Sequence, residues 1–237
     1  MRYLLFIPTL NEAGTIEKII TSVFIHSKDI DILIIDDNSS DGTLEIIRHL
    51  QTKYKNIELM VRSQRLGIGS AHVAAIKFAV KNKYDYLITM DGDGAHDPSY
   101  LPFFLAESIK HDLVVGNRYL QKNSLSDWNY FRKTLTRIVH IATITFLGMK
   151  YDCSSGFRCY AVKSLPRDFV VQIKSGGYDF FFESILILHR ERKDIFEIPI
   201  HLPARTYGNS KLTIKLALKA LFRLIYLSLT RRSSVAK

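Results

Sequence analysis

Short apolar runs alternate with amphipathic segments over the first half of the chain, and this alternation restricts the fold more than any other feature. It is typical of a parallel sheet whose strands are joined by crossover helices. Strands are predicted at residues 3–7, 31–35, 57–61, 86–90 and 113–115. Helices are predicted at residues 14–26, 43–52, 70–81 and 99–109. The sequence therefore predicts an α/β fold.

The second half has a different pattern, with a long helix predicted at 126–147 and a further helix at 179–189. Strands are predicted at 157–162 and 195–200. No internal repeat or Gly/Ser linker divides the chain into folding units. We therefore expect one domain over residues 1–212, followed by a basic tail at 213–237.

The chain of 237 residues carries 33 lysines and arginines against 23 aspartates and glutamates, a net charge of +10. Such a surface attracts an anionic partner, whether nucleic acid, phospholipid or a phosphorylated substrate. Two cysteines are few for a disulfide scaffold and fit a reducing compartment. The N-terminal apolar run is too short for a signal peptide, and no segment is predicted to span a membrane.

Polar side chains follow the first two predicted strands, in Pro-Thr-Leu-Asn-Glu and in Asp-Asp-Asn-Ser-Ser-Asp-Gly-Thr. Ligands of open α/β sheets bind at the carboxyl ends of the strands, so these groups can accept hydrogen bonds from a base or ribose. Helix capping is an alternative that accounts for Asn11 and Asp41. It does not account for the adjacent carboxylates of Asp36 and Asp37.

The third and fourth strands also end in unusual residues. The turn 65–70 contains Gly67 and Gly69 and opens a helix, which suits a phosphate. A dinucleotide fingerprint is excluded because the first strand-to-helix turn lacks Gly-x-Gly-x-x-Gly. Asp91 and Asp93 follow the buried fourth strand, where unpaired charge is costly and a Mg²⁺ or Mn²⁺ ion would offset that cost.

These motifs, in this order, resemble glycosyltransferase family two, whose members have a GT-A fold. The second half is similar to dolichyl- and polyprenyl-phosphate mannosyltransferases in segments 116–119, 132–137, 152–160 and 205–211. The resemblance implies a Rossmann-like, nucleotide-sugar-binding fold with a mostly parallel central sheet, helices on both faces and a C-terminal amphipathic helix. It also implies an inverting transfer of a hexose, with mannose and GDP-mannose favoured, to dolichyl or polyprenyl phosphate.

The resemblance also implies a role for each matching residue. The nucleotide-sugar site would comprise Pro8, Asn11, Glu12, Asp36, Asp37, Gly67, Asp91 and Gly92. Asp91 and Asp93 would hold the metal, and Arg118, Arg132 and Thr136 would bind the acceptor phosphate. Arg205 and Lys211 would act with Asp93 in catalysis by neutralising the leaving diphosphate. A phosphate monoester is already anionic near neutral pH, so this acceptor needs no general base.

The sequence departs from the family at three positions. Ala95 stands where a metal-binding glutamine is frequent, Phe181 where a glutamine is common, and Asp179 where an apolar residue is usual. Asp179 is either a helix N-cap or the general base for a hydroxyl acceptor, which would use UDP-glucose or another donor. A second alternative, encouraged by Ala95, is a non-catalytic protein that binds nucleotide sugar or a membrane assembly.

Lys211, just before the tail, and Lys215, Lys219 and Arg223 within it recur every four residues between leucines and isoleucines. A helix here would place a basic stripe beside an apolar face and lie on a membrane surface, or it would dock on the core. Aromatic residues are not interleaved with this stripe as nucleic-acid binding would require, so no nucleic-acid partner is expected. We expect a cytoplasmic protein, peripheral on the cytosolic face of a membrane, with a possible membrane-anchoring protein partner.

Overall fold

The computed structural model of the chain describes residues 1–203 and residue 226. The strands are β1 (Tyr3–Thr9), β2 (Asp31–Asp36), β3 (Ile57–Val61), β4 (Tyr86–Thr89), β5 (Leu113–Asn117), β6 (Arg158–Ala161) and β7 (Ile195–Pro199). The helices are α1 (Ile16–His26), α2 (Thr43–Lys53), α3 (Ile68–Lys81), α4 (Leu101–Ser108), α5 (Tyr130–Leu147), α6 (Phe169–Gln172) and α7 (Phe180–Arg190). Short 3₁₀ turns lie at Pro98–Tyr100 and Val162–Ser164.

The strands form a single sheet in the order β3-β2-β1-β4-β6-β5-β7. Only β6 is antiparallel to its neighbours within the described part of the chain. The chain adds β2 and β3 on one side of β1 and then returns to place β4 on the other side. This reversal opens a crevice at the carboxyl ends of β1 and β4, where ligands of such sheets bind.

The sheet has an apolar layer on each face. Leu4 and Phe6 of β1 belong to the cluster that contains residues of α3 and α7. Leu5 and Ile7 belong to the cluster that contains residues of α1 and α4. Successive residues of a strand point to opposite faces, so β1 is covered on both sides. The predicted sheet with helices on both faces is confirmed.

The sequence misplaced some boundaries. Helix α5 begins at Tyr130 rather than at 126, because the Asn129 side chain accepts a hydrogen bond from the Arg132 amide and acts as the N-cap. The expectation that Asn11 caps a helix is wrong: α1 begins at Ile16 with Thr15 at its N-cap. Both cysteines are buried and form no disulfide, as expected of structural thiols.

Candidate active site

A cavity of about 380 Å³ opens at the carboxyl ends of β1 and β4. It is bounded by the exits of β1, β2 and β4, by the β3–α3 turn and by one face of α5. Ten of the residues expected from the sequence line it: Pro8, Glu12, Asp37, Gly67, Asp91, Gly92, Asp93, Arg118, Arg132 and Thr136. Segments far apart in the sequence therefore meet in one site.

Asn11 and Asp36 do not line the cavity. Asp36 is fully buried and accepts hydrogen bonds from the Thr9 hydroxyl at 2.6 Å and from the Ser39 amide at 2.7 Å. The Asn11 side chain accepts from the Ser40 amide at 2.9 Å. Both residues join the β1 exit to the β2 exit rather than face the cavity.

Asp37 and the β3–α3 turn form one side of the cavity. The Asp37 carboxylate forms an ion pair with Arg62 and accepts a hydrogen bond from the Gly67 amide at 3.2 Å. Arg62 also donates to the Ser70 hydroxyl at 2.7 Å. The Gly67 amide, which could have served a phosphate, is thus directed at Asp37.

Asp91 and Asp93 leave β4 together, and the loop between them is held close to β1. The Thr15 hydroxyl donates to the Gly92 carbonyl at 2.8 Å, and a Cβ atom at Gly92 would lie 3.0 Å from the Pro8 carbonyl oxygen. Only glycine allows this approach without a shift of the backbone. Asp93 is 4% exposed, whereas the Asp91 side chain is 28% exposed.

His96 supports this pair of carboxylates. Its Nδ1 accepts a hydrogen bond from the Asp91 amide at 3.0 Å, and its ring packs against Phe157. Burial lowers the pKa of His96 and outweighs the opposing effect of the nearby Asp91 and Asp93 charges. The imidazole is therefore neutral near pH 7, which fixes the proton on Nε2.

The described residues contain no group of three or more His, Cys, Asp or Glu side chains that could hold a metal. Mg²⁺ characteristically takes only one or two protein carboxylates and completes its shell with substrate phosphates and water. Asp91 and Asp93, adjacent on the cavity wall, fit that donor set. Ala95, where the family often has a glutamine, adds no side-chain ligand.

Arg118, at the exit of β5, is held by a buried carboxylate. Its Nε donates to Asp152 Oδ2 at 2.7 Å, and both side chains are almost inaccessible. The Asp152 amide in turn donates to Glu197 on β7 at 2.8 Å. Because one edge of the guanidinium is occupied by Asp152, its orientation towards the cavity is fixed.

Helix α5 brings Arg132 and Thr136 to the same side of the cavity. The Arg132 guanidinium carbon lies 3.6 Å from the centroid of the Trp128 ring. The Tyr119 hydroxyl donates to the Thr136 carbonyl at 3.2 Å, which ties α5 to the β5 exit. The three residues expected to bind an acceptor phosphate thus converge.

Asp179 and Phe181 also line the cavity. Asp179 occupies the N-cap position of α7, but its side chain forms no capping hydrogen bond. The Phe181 ring lies 5.4 Å from the guanidinium carbon of Arg158, which is fully buried. At the position where the family often has a glutamine, this chain therefore has the Phe181 ring, which lines the cavity and lies close to the buried Arg158 side chain.

Residues that the sequence did not single out include Arg62, Trp128 and Arg158, besides His96 and Asp152 described above. The first two line the cavity, and Arg158 donates to neutral oxygens that include Phe181 O at 2.8 Å and Ser184 Oγ at 2.9 Å. A lone tryptophan beside Asn129 and Arg132 was a visible signal for Trp128. Arg62 and Arg158 lie within or beside strands and carried no such signal.

Arg205, Lys211 and the tail 213–237 lie outside the described residues, apart from Tyr226, which is helical and exposed. Across residues 1–203 and 226, none of the helices combines the length and apolar character needed to cross a bilayer.

Residues 5–167 match the sequence model of the family described as "Glycosyl transferase family 2". The matched segment includes every strand exit described above except the exit of β7. The chain belongs to this family.

Two curated relatives match nearly the whole chain. An undecaprenyl-phosphate mannosyltransferase from Micrococcus luteus is 29% identical over 214 residues, covering 90% of this chain and 88% of the relative. A polyprenol monophosphomannose synthase from Mycolicibacterium smegmatis is 28% identical over 225 residues, covering 94% and 85%.

Solved structures share the fold. Glucosyl-3-phosphoglycerate synthase from Mycobacterium tuberculosis, in complex with Mn²⁺, UDP and glucosyl-3-phosphoglycerate, aligns with a TM-score of 0.66 at 19% identity, over 98% of this chain and 79% of that one. S. aureus TarS with UDP-GlcNAc aligns with a TM-score of 0.63 at 15% identity, over 96% and 66%. The fold is that of GT-A glycosyltransferases.

Proposed function

We propose that the protein transfers a hexose, with mannose favoured, from a nucleotide diphosphate sugar, with GDP-mannose favoured, to dolichyl or polyprenyl phosphate, inverting the anomeric carbon. One observation carries the proposal: a single cavity is lined both by the paired carboxylates Asp91 and Asp93 and by the arginines Arg118 and Arg132. The two mannosyltransferase relatives support the choice of sugar and of lipid phosphate.

The carboxylates suit the donor. Pro8, Glu12, Asp37, Gly67 and Gly92 line the cavity and would bind the nucleotide, with Asn11 and Asp36 shaping the adjoining loops. Asp91 and Asp93 would hold Mg²⁺ or Mn²⁺. Such an ion, when bound, would offset the charge of the donor diphosphate as it leaves.

The arginines suit a phosphate monoester. Arg118, Arg132 and Thr136 offer two guanidinium groups and a hydroxyl, donors that match phosphate oxygens. A phosphate oxygen would attack the anomeric carbon, form the new C–O bond and displace the nucleotide diphosphate, which leaves with the bonding electron pair. The attacking oxygen carries no proton at neutral pH, so no side chain has to remove one.

Arg205 and Lys211 would neutralise the departing diphosphate, and with Asp93 they complete the proposed catalytic set. We place residues 1–212 in the glycosyltransferase domain and the basic tail 213–237 at the cytosolic surface of a membrane, where a membrane-anchoring protein could join it. The tail's lysines and leucines support this placement because they match a basic stripe beside an apolar face.

A second candidate function is sugar transfer to a hydroxyl acceptor, with Asp179 as general base. It is favoured by the position of Asp179 on the cavity wall and by the lack of a capping hydrogen bond from its side chain. A hydroxyl is a weak nucleophile until a base removes its proton. This reaction therefore needs Asp179, whereas transfer to a phosphate does not.

The test combines each of two radiolabelled donors with each of two acceptors. Purified protein with Mn²⁺ or Mg²⁺ receives GDP-mannose or UDP-glucose, together with either polyprenyl phosphate or a sugar hydroxyl acceptor. Label in an acid-labile lipid that depends on the phosphate acceptor is the expected result and names the donor. Label only on the hydroxyl acceptor would favour the second candidate, and no transfer in any arm would favour a non-catalytic binding role.

A further inference from the structure

Trp128 lies between segments of the chain whose proximity the sequence did not reveal. It is the only tryptophan in the chain, is 6% exposed and lines the cavity. It sits in the turn before α5, where its amide donates to the Leu125 carbonyl at 3.1 Å. A ring so placed either fills space or orients the groups around it.

The contacts of the ring favour orientation. The guanidinium carbon of Arg132 lies 3.6 Å from the ring centroid, and that of Arg118 lies 5.9 Å away. A cation over an indole is attracted by the negative face of the ring. The ring therefore offsets part of the repulsion between the two guanidinium charges and influences where both groups lie.

The indole nitrogen makes a second connection. Trp128 Nε1 donates to the Pro203 carbonyl at 3.3 Å. The same segment is held again nearby, because the Leu202 amide donates to the Ser124 hydroxyl at 3.1 Å and that hydroxyl donates to the Ile200 carbonyl at 2.8 Å. The turn that carries Trp128 is thus fastened to the chain that follows β7 and leads in sequence to Arg205.

We propose that Trp128 is a positioning residue for the acceptor phosphate. Its ring orients Arg132 and Arg118 towards one phosphate, and its Nε1–H ties the turn before α5 to Pro203. This inference rests on the proposed function, since it assumes that these arginines receive a phosphate. A ring that only filled space would contribute to stability and would not distinguish the two substrates.

The first test compares Trp128→Leu with Trp128→Phe. Leucine removes the aromatic face, and we expect the KM for polyprenyl phosphate to rise about tenfold, the size of a partly desolvated cation–π contact. The KM for the nucleotide sugar should stay within about twofold on the same scale. Phenylalanine keeps a weaker aromatic face, so the KM for the lipid phosphate should return most of the way to the wild-type value.

Thermal unfolding midpoints of both variants show whether each is folded at the assay temperature. The proposal is overturned if leucine raises the two KM values equally, or if phenylalanine and leucine raise the lipid-phosphate KM to the same extent. Either result would assign Trp128 to packing alone.

A double-mutant cycle tests whether the effect passes through Arg132. In an Arg132→Ala background, Trp128→Leu should raise the lipid-phosphate KM much less than it does in the wild type, because the cation that the ring contacts is already gone. Arg137→Ala is the matched control, since Arg137 is on the same helix, is exposed and does not line the cavity. Equal effects of Trp128→Leu in the wild-type and both arginine backgrounds would contradict the proposal.

Fluorescence separates this inference from the proposed function. As the sole tryptophan, Trp128 reports directly on binding of a short-chain prenyl monophosphate in the absence of donor. We expect a saturable change that Arg132→Ala weakens and Arg137→Ala does not. If the wild type transfers no sugar yet shows this response, the proposed function fails and the positioning role stands. Transfer without any fluorescence response to the lipid phosphate would overturn the positioning role and leave the function intact.

Discussion

Asp37 and Arg62 form an ion pair on the cavity wall, with side chains only 9% and 10% exposed. Arg62 also donates to the Gly67 carbonyl at 3.2 Å and to Ser70, so it fastens the β3–α3 turn to the exit of β2. The pair therefore fixes the orientation of a carboxylate that we expect to contact the nucleotide.

Replacing Arg62 with methionine leaves Asp37 buried without its cation. Breaking a buried pair in this way typically costs about 3–5 kcal/mol, and we expect the free energy of unfolding to fall towards that range. The KM for the donor should rise about tenfold, equivalent to 1.4 kcal/mol of binding, with little change for the lipid phosphate. Urea unfolding and steady-state kinetics measure both quantities. Arg48→Met, at an exposed position on α2, is the control, and an equal loss there would contradict the argument.

Asp93→Asn tests the proposed metal site. Asp93 Oδ1 accepts a hydrogen bond from the Ala95 amide at 3.0 Å, and asparagine retains an oxygen for that bond. The substitution should therefore leave the unfolding midpoint nearly unchanged while removing a ligand charge. We expect kcat to fall by at least about 100-fold, the scale seen when a preorganised electrostatic group is lost.

Mn²⁺ binding in the presence of nucleoside diphosphate, followed by electron paramagnetic resonance, supplies a readout independent of turnover. Binding should weaken in Asp93→Asn and remain in Asp97→Asn, whose exposed carboxylate caps the next turn. Wild-type turnover and Mn²⁺ affinity in the Asp93 variant would remove this residue from the metal site.

The elements of the fold were predictable because their signals are local. Apolar runs marked every strand, and β3 has the predicted bounds, 57–61. The placement of β6 between β4 and β5, antiparallel to both, was not predictable. Strand pairing depends on contacts between residues far apart in the chain, and one sequence carries no record of them.

The site residues likewise fall into those that local sequence patterns revealed and those that only the folded chain shows. The strand-exit carboxylates were found because parallel strands deliver their carboxyl ends to one edge. Asn11 and Asp36 had the expected residue types but point into the loops, since hydrogen bonds to Ser39 and Ser40 decide their direction. The pairing of Arg118 with Asp152, 34 positions apart, could be seen only in the folded chain.

Asp179→Asn distinguishes the two candidate reactions. With a polyprenyl phosphate acceptor we expect kcat/KM to stay close to the wild-type value, because the attacking oxygen is already anionic. With a hydroxyl acceptor the loss of a general base should cost about 100-fold or more. Both rates are measured with the same donor, so the ratio of the two effects identifies the acceptor class. A large loss with the phosphate acceptor would show that Asp179 contacts the substrates in another way.

His72 gives the folded protein a specific response to acid. The ring is buried between Phe6, Phe180 and Phe181, and its Nδ1 lies 2.9 Å from the Ile68 carbonyl. Burial lowers the pKa of His72 from 6.5 to about 3, an effect reinforced by the charge of Arg158. Between these two values the unfolded chain binds a proton at this position and the folded protein does not.

The free energy of unfolding must therefore decrease as the pH falls through this window, by up to about 1.4 kcal/mol per pH unit from this residue alone. Above pH 6.5 its contribution is constant. In His72→Gln the overall stability is lower, but the slope against pH should flatten by this amount, since glutamine does not titrate. Urea unfolding from pH 7.5 to pH 4.5 measures the slope. Parallel curves for wild type and His72→Gln would mean that His72 is protonated inside the folded protein and that burial does not hold it neutral.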